Sequence, residues 1–265
     1  MNTPLLTVNN LSVSMSSETI VERVSFTLQE GKSLGIVGES GSGKSLTCRA
    51  IMGLLAPNLQ ASGSVAYQGQ ELLSVSNQDW RSIRGQKIGM ILQNPMTAFN
   101  ELYKVKSLFV ETLKQSPHLS NSDYPRIIRE KLEAVNIDYD YVINRYPHEL
   151  SGGMLQRIAI AITLSLDPKL LIADEPTTAI DSINAYRIIQ ELSKIQSYSD
   201  LSLIVISHDL GMVRHLVDDV LIMRQGQMIE YGSTDQIFDH PQKPYTQELV
   251  RINQQLAQGL EEAIQ

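Results

Sequence analysis

An α/β fold is predicted by three features of the chain. Short strand-like runs dominate its front, helical spacing takes over near its middle, and strands alternate with helices after residue 151. The front carries "LLTVNNLSVSM", "RVSFTL" and "SLGIVG", then "GSVAYQG" and "KIGMILQ". All are rich in β-branched residues and bounded by Gly, Asn or Ser, as strands are. Next, "KVKSLFVETLKQ" and "PRIIREKLEAVNI" place apolar residues three and four apart, which is the period of a helix face. Pro125 suits the first turn of the second helix, where a missing N–H costs nothing. Beyond residue 151, "KLLIADEP" and "LSLIVISHD" are nearly all apolar, as strands buried on both faces of a parallel sheet must be. "DSINAYRIIQELSKIQ" between them reads as the crossover helix, and the returning strands must pair with the early strand at 33–38.

Composition narrows the function. In 265 residues, 42% are hydrophobic and 19% charged, and the net charge is −7. An acidic balance argues against a nucleic-acid partner held by phosphate neutralisation. The single cysteine, Cys48, cannot form an intrachain disulfide. No signal peptide is expected at the N-terminus. The greasiest stretch, "IAIAITLSL" at 158–166, is about half the length of a membrane span. The expected location is therefore cytoplasmic. His118, His148 and His240 lack metal-ligand spacing. Arg126, Arg129 and Lys131 read as a solvated helix face, and Trp80 as packing.

The stretch "IVGESGSGKSLTC" is the first chemical signal. Gly38, Glu39, Ser40, Gly41, Ser42, Gly43, Lys44 and Ser45 fit G-x-x-x-x-G-K-[ST], with a strand before and a helix after. Glycines let backbone N–H groups curl around phosphate oxygens. Lys44 reaches the β- and γ-phosphates, and the Ser45 hydroxyl suits Mg²⁺. The helix that follows aims its positive end at the same anion. The second signal is "LLIADEP", an apolar strand running into two carboxylates. Asp174 suits a Mg²⁺ position, and Glu175 can polarise a water for in-line attack on the γ-phosphate. ATP and Mg²⁺ are the implied cofactors.

Between these two signals lies "ELSGGMLQR" at 149–157. With "MILQNP" before it and "AID" and "ISHD" after it, the chain resembles the ATP-binding cassette of ABC transporters over almost its whole length. The resemblance implies a P-loop NTPase core with a mixed central sheet, an N-terminal antiparallel β subdomain and an inserted α-helical subdomain. The core would span 1–94 and 151–265, and the helical insertion about 95–150. It further implies that Gln93 sits near Mg²⁺ and the attacking water. Ser151, Gly152 and Gly153 would clamp the γ-phosphate held by a partner cassette. Asp181 would connect the two sites across that dimer, and His208 would contact the γ-phosphate. The family's first strand usually brings an aromatic ring to adenine, and here Met15 falls at that place. A thioether can cover a base through soft contacts but gives up aromatic stacking.

Finer features, "YPHELSGGMLQR", "IADEPTTAID" and "IFDHPQKPYTQELV", resemble importers of dipeptides, oligopeptides, nickel and metal chelates. "GSGKSLTC", "QNPMTAFN" and the Met-Leu pair after the signature most resemble the nickel and metal-chelate branch. The cysteine-bearing tail of many peptide-import relatives is not expected here. Such cassettes work as a pair, usually of different chains, beneath two membrane permease subunits and an extracytoplasmic binding protein. Peripheral attachment to the cytoplasmic face of the membrane follows. "MTAFN" at 96–100 follows Gln93, where the family receives a membrane subunit. The rival functions are a soluble ABC protein of DNA repair or translation and a stand-alone P-loop kinase. The first commonly shows two cassettes, coiled-coil insertions or basic surfaces, and the second has no use for LSGG.

Overall fold

The computed structural model describes residues 4–93, 99–176, 182–198 and 200–264. In chain order the strands and helices are β1 (Leu6–Met15), β2 (Glu18–Leu28), β3 (Ser33–Val37), α1 (Lys44–Ile51), β4 (Leu59–Tyr67), β5 (Gln70–Glu71), α2 (Trp80–Ile83) and β6 (Ile88–Ile91). Then come α3 (Val105–Leu113), α4 (Tyr124–Ala134), α5 (Tyr139–Val142), α6 (Gly152–Leu164), β7 (Leu170–Asp174) and α7 (Ser182–Tyr198). The chain closes with β8 (Ser202–Ser207), α8 (Leu210–Arg214), β9 (Asp219–Arg224), β10 (Gln227–Ser233), α9 (Thr234–Asp239) and α10 (Pro244–Ile264). It divides into two compact units, residues 1–80 with 202–265, and residues 81–201.

The first unit holds a mixed sheet in the order β5-β4-β1-β2-β10-β9-β3-β8. Its front is antiparallel: β1 pairs with β2 on one side and β4 on the other. Leu6 and Val8 point inward, then a bulge at Asn9 and Asn10 shifts the phase so that Leu11 and Val13 also point inward. β3 runs parallel to both β8 and β9, and every residue of β3 and β8 is buried. This is the pairing that the apolar runs require. α8 packs so closely on β3 that a Cβ at Gly35 would lie 2.3 Å from a Val213 methyl. Trp80 is buried in the same unit against Gly53, whose φ is +60°.

In the second unit β6 and β7 are parallel, and β7 is buried throughout. α3, α4 and α5 occupy the stretch of helical spacing, and Pro125 lies in the first turn of α4 as its sequence predicts. Phe109, Leu132 and Leu155 bury the apolar faces of α3, α4 and α6. One surface expectation is corrected. Arg126 and Arg129 do lie on the solvated face, but the Lys131 side chain is only 18% exposed. Its Nζ reaches the Asp167 carboxylate at 2.6 Å. Among the described residues no helix is long and apolar enough to cross a membrane.

The start of β3 is clamped by Asp218. Its carboxylate accepts hydrogen bonds from Lys32 Nζ at 2.7 Å, Ser33 N at 2.9 Å and Ser33 Oγ at 2.6 Å. Burial pushes this carboxyl up, but the donors from Lys32 and Ser33 outweigh it and hold it below the ordinary value. Asp219 is raised by burial and by its neighbour's charge, so the two groups act in opposite directions. A carboxylate with a lowered folded pKa stabilises above its unfolded pKa and loses that contribution as pH falls through the lowered one. Asp218→Asn is therefore expected to cost about 1–2 kcal/mol at neutral pH, the lower part of the range for charged hydrogen bonds because the group is partly exposed. It should also flatten the loss of stability toward acid. Urea denaturation of both proteins from neutral to acid pH measures both effects.

Candidate functional site

Parallel strands expose their carboxyl ends on one edge, and ligands of open α/β sheets bind there. β3 ends at Val37, paired with Ser207 at the end of β8. The loop from Gly38 to Ser45 and the exposed His208 therefore leave the sheet from adjacent strands at one edge. Gly38 is required: a Cβ there would sit 2.1 Å from the Met223 carbonyl oxygen of β9. Gly41 and Gly43 adopt φ of +79° and +97°, a region costly for other residues. Gly43 is the N-cap of α1 and supplies no side-chain cap to that helix, and a helix N-terminus carries the positive end that suits an anion. Ser42 O accepts from Gly226 N at 3.1 Å, which fastens the loop to the β9–β10 turn. Lys44 is 4% exposed, and its Nζ donates to the carbonyls of Gly38 and Glu39 at 2.8 and 2.9 Å. His208 is followed by Asp209, whose carboxylate caps α8 through Met212 N at 3.1 Å.

Two neighbours of this loop escaped the sequence reading. Tyr245 of α10 lies beside Glu39, and its hydroxyl pKa is raised by burial and by that carboxylate. The Arg224 guanidinium sits 4.6 Å from the Tyr245 ring centre. Met15 closes β1 opposite Glu18 and Leu59, is 39% exposed, and receives the Asn58 amide on its sulfur at 3.2 Å.

The second unit repeats the strand-end geometry. Ile91 of β6 pairs with Ala173 of β7, so Gln93 and the Asp174-Glu175 pair emerge at the same edge. Gln93 Nε2 donates to Glu175 Oε2 at 2.8 Å. Asp174 is 1% exposed, while Glu175 takes φ +47°, an unusual state for a side chain of its size and the kind of strain found at functional sites. Ser151 is the N-cap of α6, accepting from Met154 N at 3.4 Å. Gly152 has nothing within 4 Å of where a Cβ would stand. The start of α6 is thus an exposed helix N-terminus with a hydroxyl and two glycines. Asp181 lies outside the described residues, as do Met96, Thr97 and Ala98 of the segment after Gln93. Phe99 is described and helps line a groove of about 290 Å³ with Met90, Leu92, Leu108 and Glu111.

The ABC transporter family profile matches residues 21–178. The chain belongs to the ABC transporter family. The metal-staphylopine import system ATP-binding protein CntD of Staphylococcus aureus (strain Mu50 / ATCC 700699) is 37% identical over 255 residues, covering 95% of this chain and 94% of the relative. The oligopeptide transport ATP-binding protein OppD of Bacillus subtilis is 41% identical over 251 residues, covering 92% of this chain and 70% of the relative. The fold matches the ABC cassette MJ0796, solved as a dimer bound to ADP and phosphate, with TM-score 0.76 and 24% identity over 86% of this chain and 98% of that one. As a member of this family the chain binds ATP, and its hydrolysis of ATP energises an importer.

The two ABC glycine positions make a contrast that needs no ligand. Gly38→Ala forces a methyl against backbone and is expected to destabilise by about 1–3 kcal/mol, the range for overpacking. Gly152→Ala meets nothing and exchanges glycine for a better helix former, so stability should hold or rise by up to about 1 kcal/mol. Chemical denaturation of the two variants beside the parent measures the difference.

Proposed function

We propose that this chain is one of two ATPase cassettes at the cytoplasmic face of a membrane importer for a metal chelate or nickel. The observation that carries the catalytic part is the Gln93–Glu175 hydrogen bond at the carboxyl ends of β6 and β7. In this reading Glu175 takes the proton of the attacking water and Gln93 holds the carboxylate in line. Lys44 and the loop N–H groups of Gly38, Glu39, Ser40, Gly41, Ser42 and Gly43 balance charge on the phosphates. His208, at the same edge as the loop, meets the γ-phosphate. Ser45, Gln93 and Asp174 would each offer an oxygen of the kind that suits Mg²⁺, which would supply neutralisation of phosphate charge. The near-complete burial of Asp174 favours a carboxylate held for a cation rather than a solvated acid. Met15, with Asn58 on its sulfur, covers adenine in place of an aromatic ring.

Ser151, Gly152 and Gly153 serve the γ-phosphate bound by the partner cassette, and Asp181 links the two composite sites. The helical subdomain, about 95–150, carries the surface toward the membrane subunits. The groove holding Leu92, Phe99 and Glu111 takes a short helix of one of two permeases, and an extracytoplasmic binding protein delivers the solute. The likeness to CntD and the segments 41–48 and 93–100 favour a chelate over a peptide. Uptake of radiolabelled nickel, with and without a chelator and with dipeptide as competitor, tests the solute. Competition by peptide alone would reverse the choice.

Glu175→Gln is expected to remove at least about a hundredfold of turnover, the lower end for a positioned acid–base group, while ATP binding persists. Hydrolysis within a few-fold of the parent would show that Glu175 is not the base. Gly152→Asp places a carboxylate where the chain itself has open space, at a helix N-terminus that favours negative charge, so folding should survive. Its effect should fall on the partner's phosphate. In the assembled importer, vanadate trapping of nucleotide on the partner's P-loop should survive Lys44→Ala in this chain and fail with Gly152→Asp. Equal trapping in both variants would contradict a composite site.

A further inference from the structure

Glu191 is a carboxylate where the fold calls for an apolar residue. It lies on α7 between Ile188 and Leu192, each 1% exposed, and is itself only 4% exposed. A charge buried this far is costly unless other polar groups hold it. Its Oε1 accepts from Asn136 Nδ2 at 3.0 Å and stands 3.9 Å from Arg157 Nη1. Asn136 has φ +53° and terminates α4, with its own N–H on Glu133 O and the next N–H on Leu132 O. The same Asn136 accepts on its carbonyl oxygen a hydrogen bond from Arg157 Nη1 at 3.3 Å. Arg157 Nε in turn donates to Gly153 O at 3.3 Å, in the first turn of α6. The guanidinium therefore bridges the end of α4 and the start of α6, and the buried carboxylate faces it from α7.

We propose that Glu191 is a positioning residue for the signature Ser151–Gly152–Gly153, acting through Arg157 and Asn136. A cation folded onto the positive end of a helix is electrostatically disfavoured. The Glu191 charge offsets that cost and holds the fork in one geometry, so the first turn of α6 keeps a fixed aim. The helix bearing Glu191 begins at Ser182, directly after Asp181. A displacement of α7 therefore reaches the signature through two side chains. The catalytic consequence rests on the signature's proposed role toward the partner's phosphate; the structural one does not.

The test uses Glu191→Leu, which fits the apolar stripe, and Glu191→Gln, which keeps the acceptor for Asn136 and removes the charge facing Arg157. Amide hydrogen exchange of the isolated chain is read first. Exchange across 151–157 and 134–138 is expected to rise at least tenfold in Glu191→Leu and by an intermediate factor in Glu191→Gln. Exchange in the loop at 38–45 and the affinity of the isolated chain for ATP should stay within twofold. In a Glu175→Gln background, ATP-driven dimerisation with the partner cassette should weaken about tenfold in Glu191→Leu. Unchanged exchange at 151–157 would overturn the proposal. So would a uniform rise across all helices that tracks a lowered melting temperature, since that marks an ordinary core position. If the Glu175→Gln parent itself fails to dimerise, the composite-site reading falls while the exchange measurement still decides the role of Glu191.

Discussion

The parallel pairing of β3 with β8 and β9 is the constraint on which the nucleotide half of this protein depends. A strand buried on both faces has no solvent side to slip toward, and the register Val37 to Ser207 puts two loop origins side by side. The phosphate loop and His208 owe their common edge to that register. The Asp218 clamp fixes the opposite end of the same strand through Ser33 and Lys32. The approach of β9 then explains Gly38, since the Met223 carbonyl occupies the space a side chain would need.

The second unit reaches its chemistry by the same means. β6 and β7 end together, so Gln93 and Glu175 can meet although 82 positions separate them. Glu175 follows the last strand residue in a left-handed conformation, which turns the chain sharply and presents the carboxylate to Gln93 instead of continuing the pleat. Helix starts supply the complementary surface. α1 opens on a glycine that supplies no side-chain cap. α6 opens on Ser151, which spends its hydroxyl on Met154 N and leaves Gly152 open.

The polar triangle of exposed Asn136, half-buried Arg157 and buried Glu191 adds a different kind of specification. Apolar packing would hold α4, α6 and α7 together in several near-equivalent slides. Charged hydrogen-bonding groups are less permissive, because a shift of an ångström leaves a buried ion without partners. The guanidinium fork suits this place because it offers donors in fixed directions to two carbonyls at once.

Much of the fold and site was legible in the amino-acid order because it rests on local rules. Apolar runs marked β3, β7 and β8, the three- and four-residue spacing marked α3, α4 and α7, and the phosphate loop and the carboxylate pair required particular residue types at particular spacing. Glu191 left a trace, a charge on the apolar stripe of Ile188 and Leu192, yet nothing in the order of residues named Arg157 as its neighbour. Lys131 looked like a surface residue because its stripe is charged, and only the folded chain brings it beside Asp167. Tyr245 lies 206 residues from Glu39 in the chain and adjoins it only once α10 has docked. Local periodicity is written in neighbouring residues, so the sequence alone determined which segments are strands, helices and phosphate loop. Contacts between distant side chains depend on how those segments pack, and only the tertiary structure decided them.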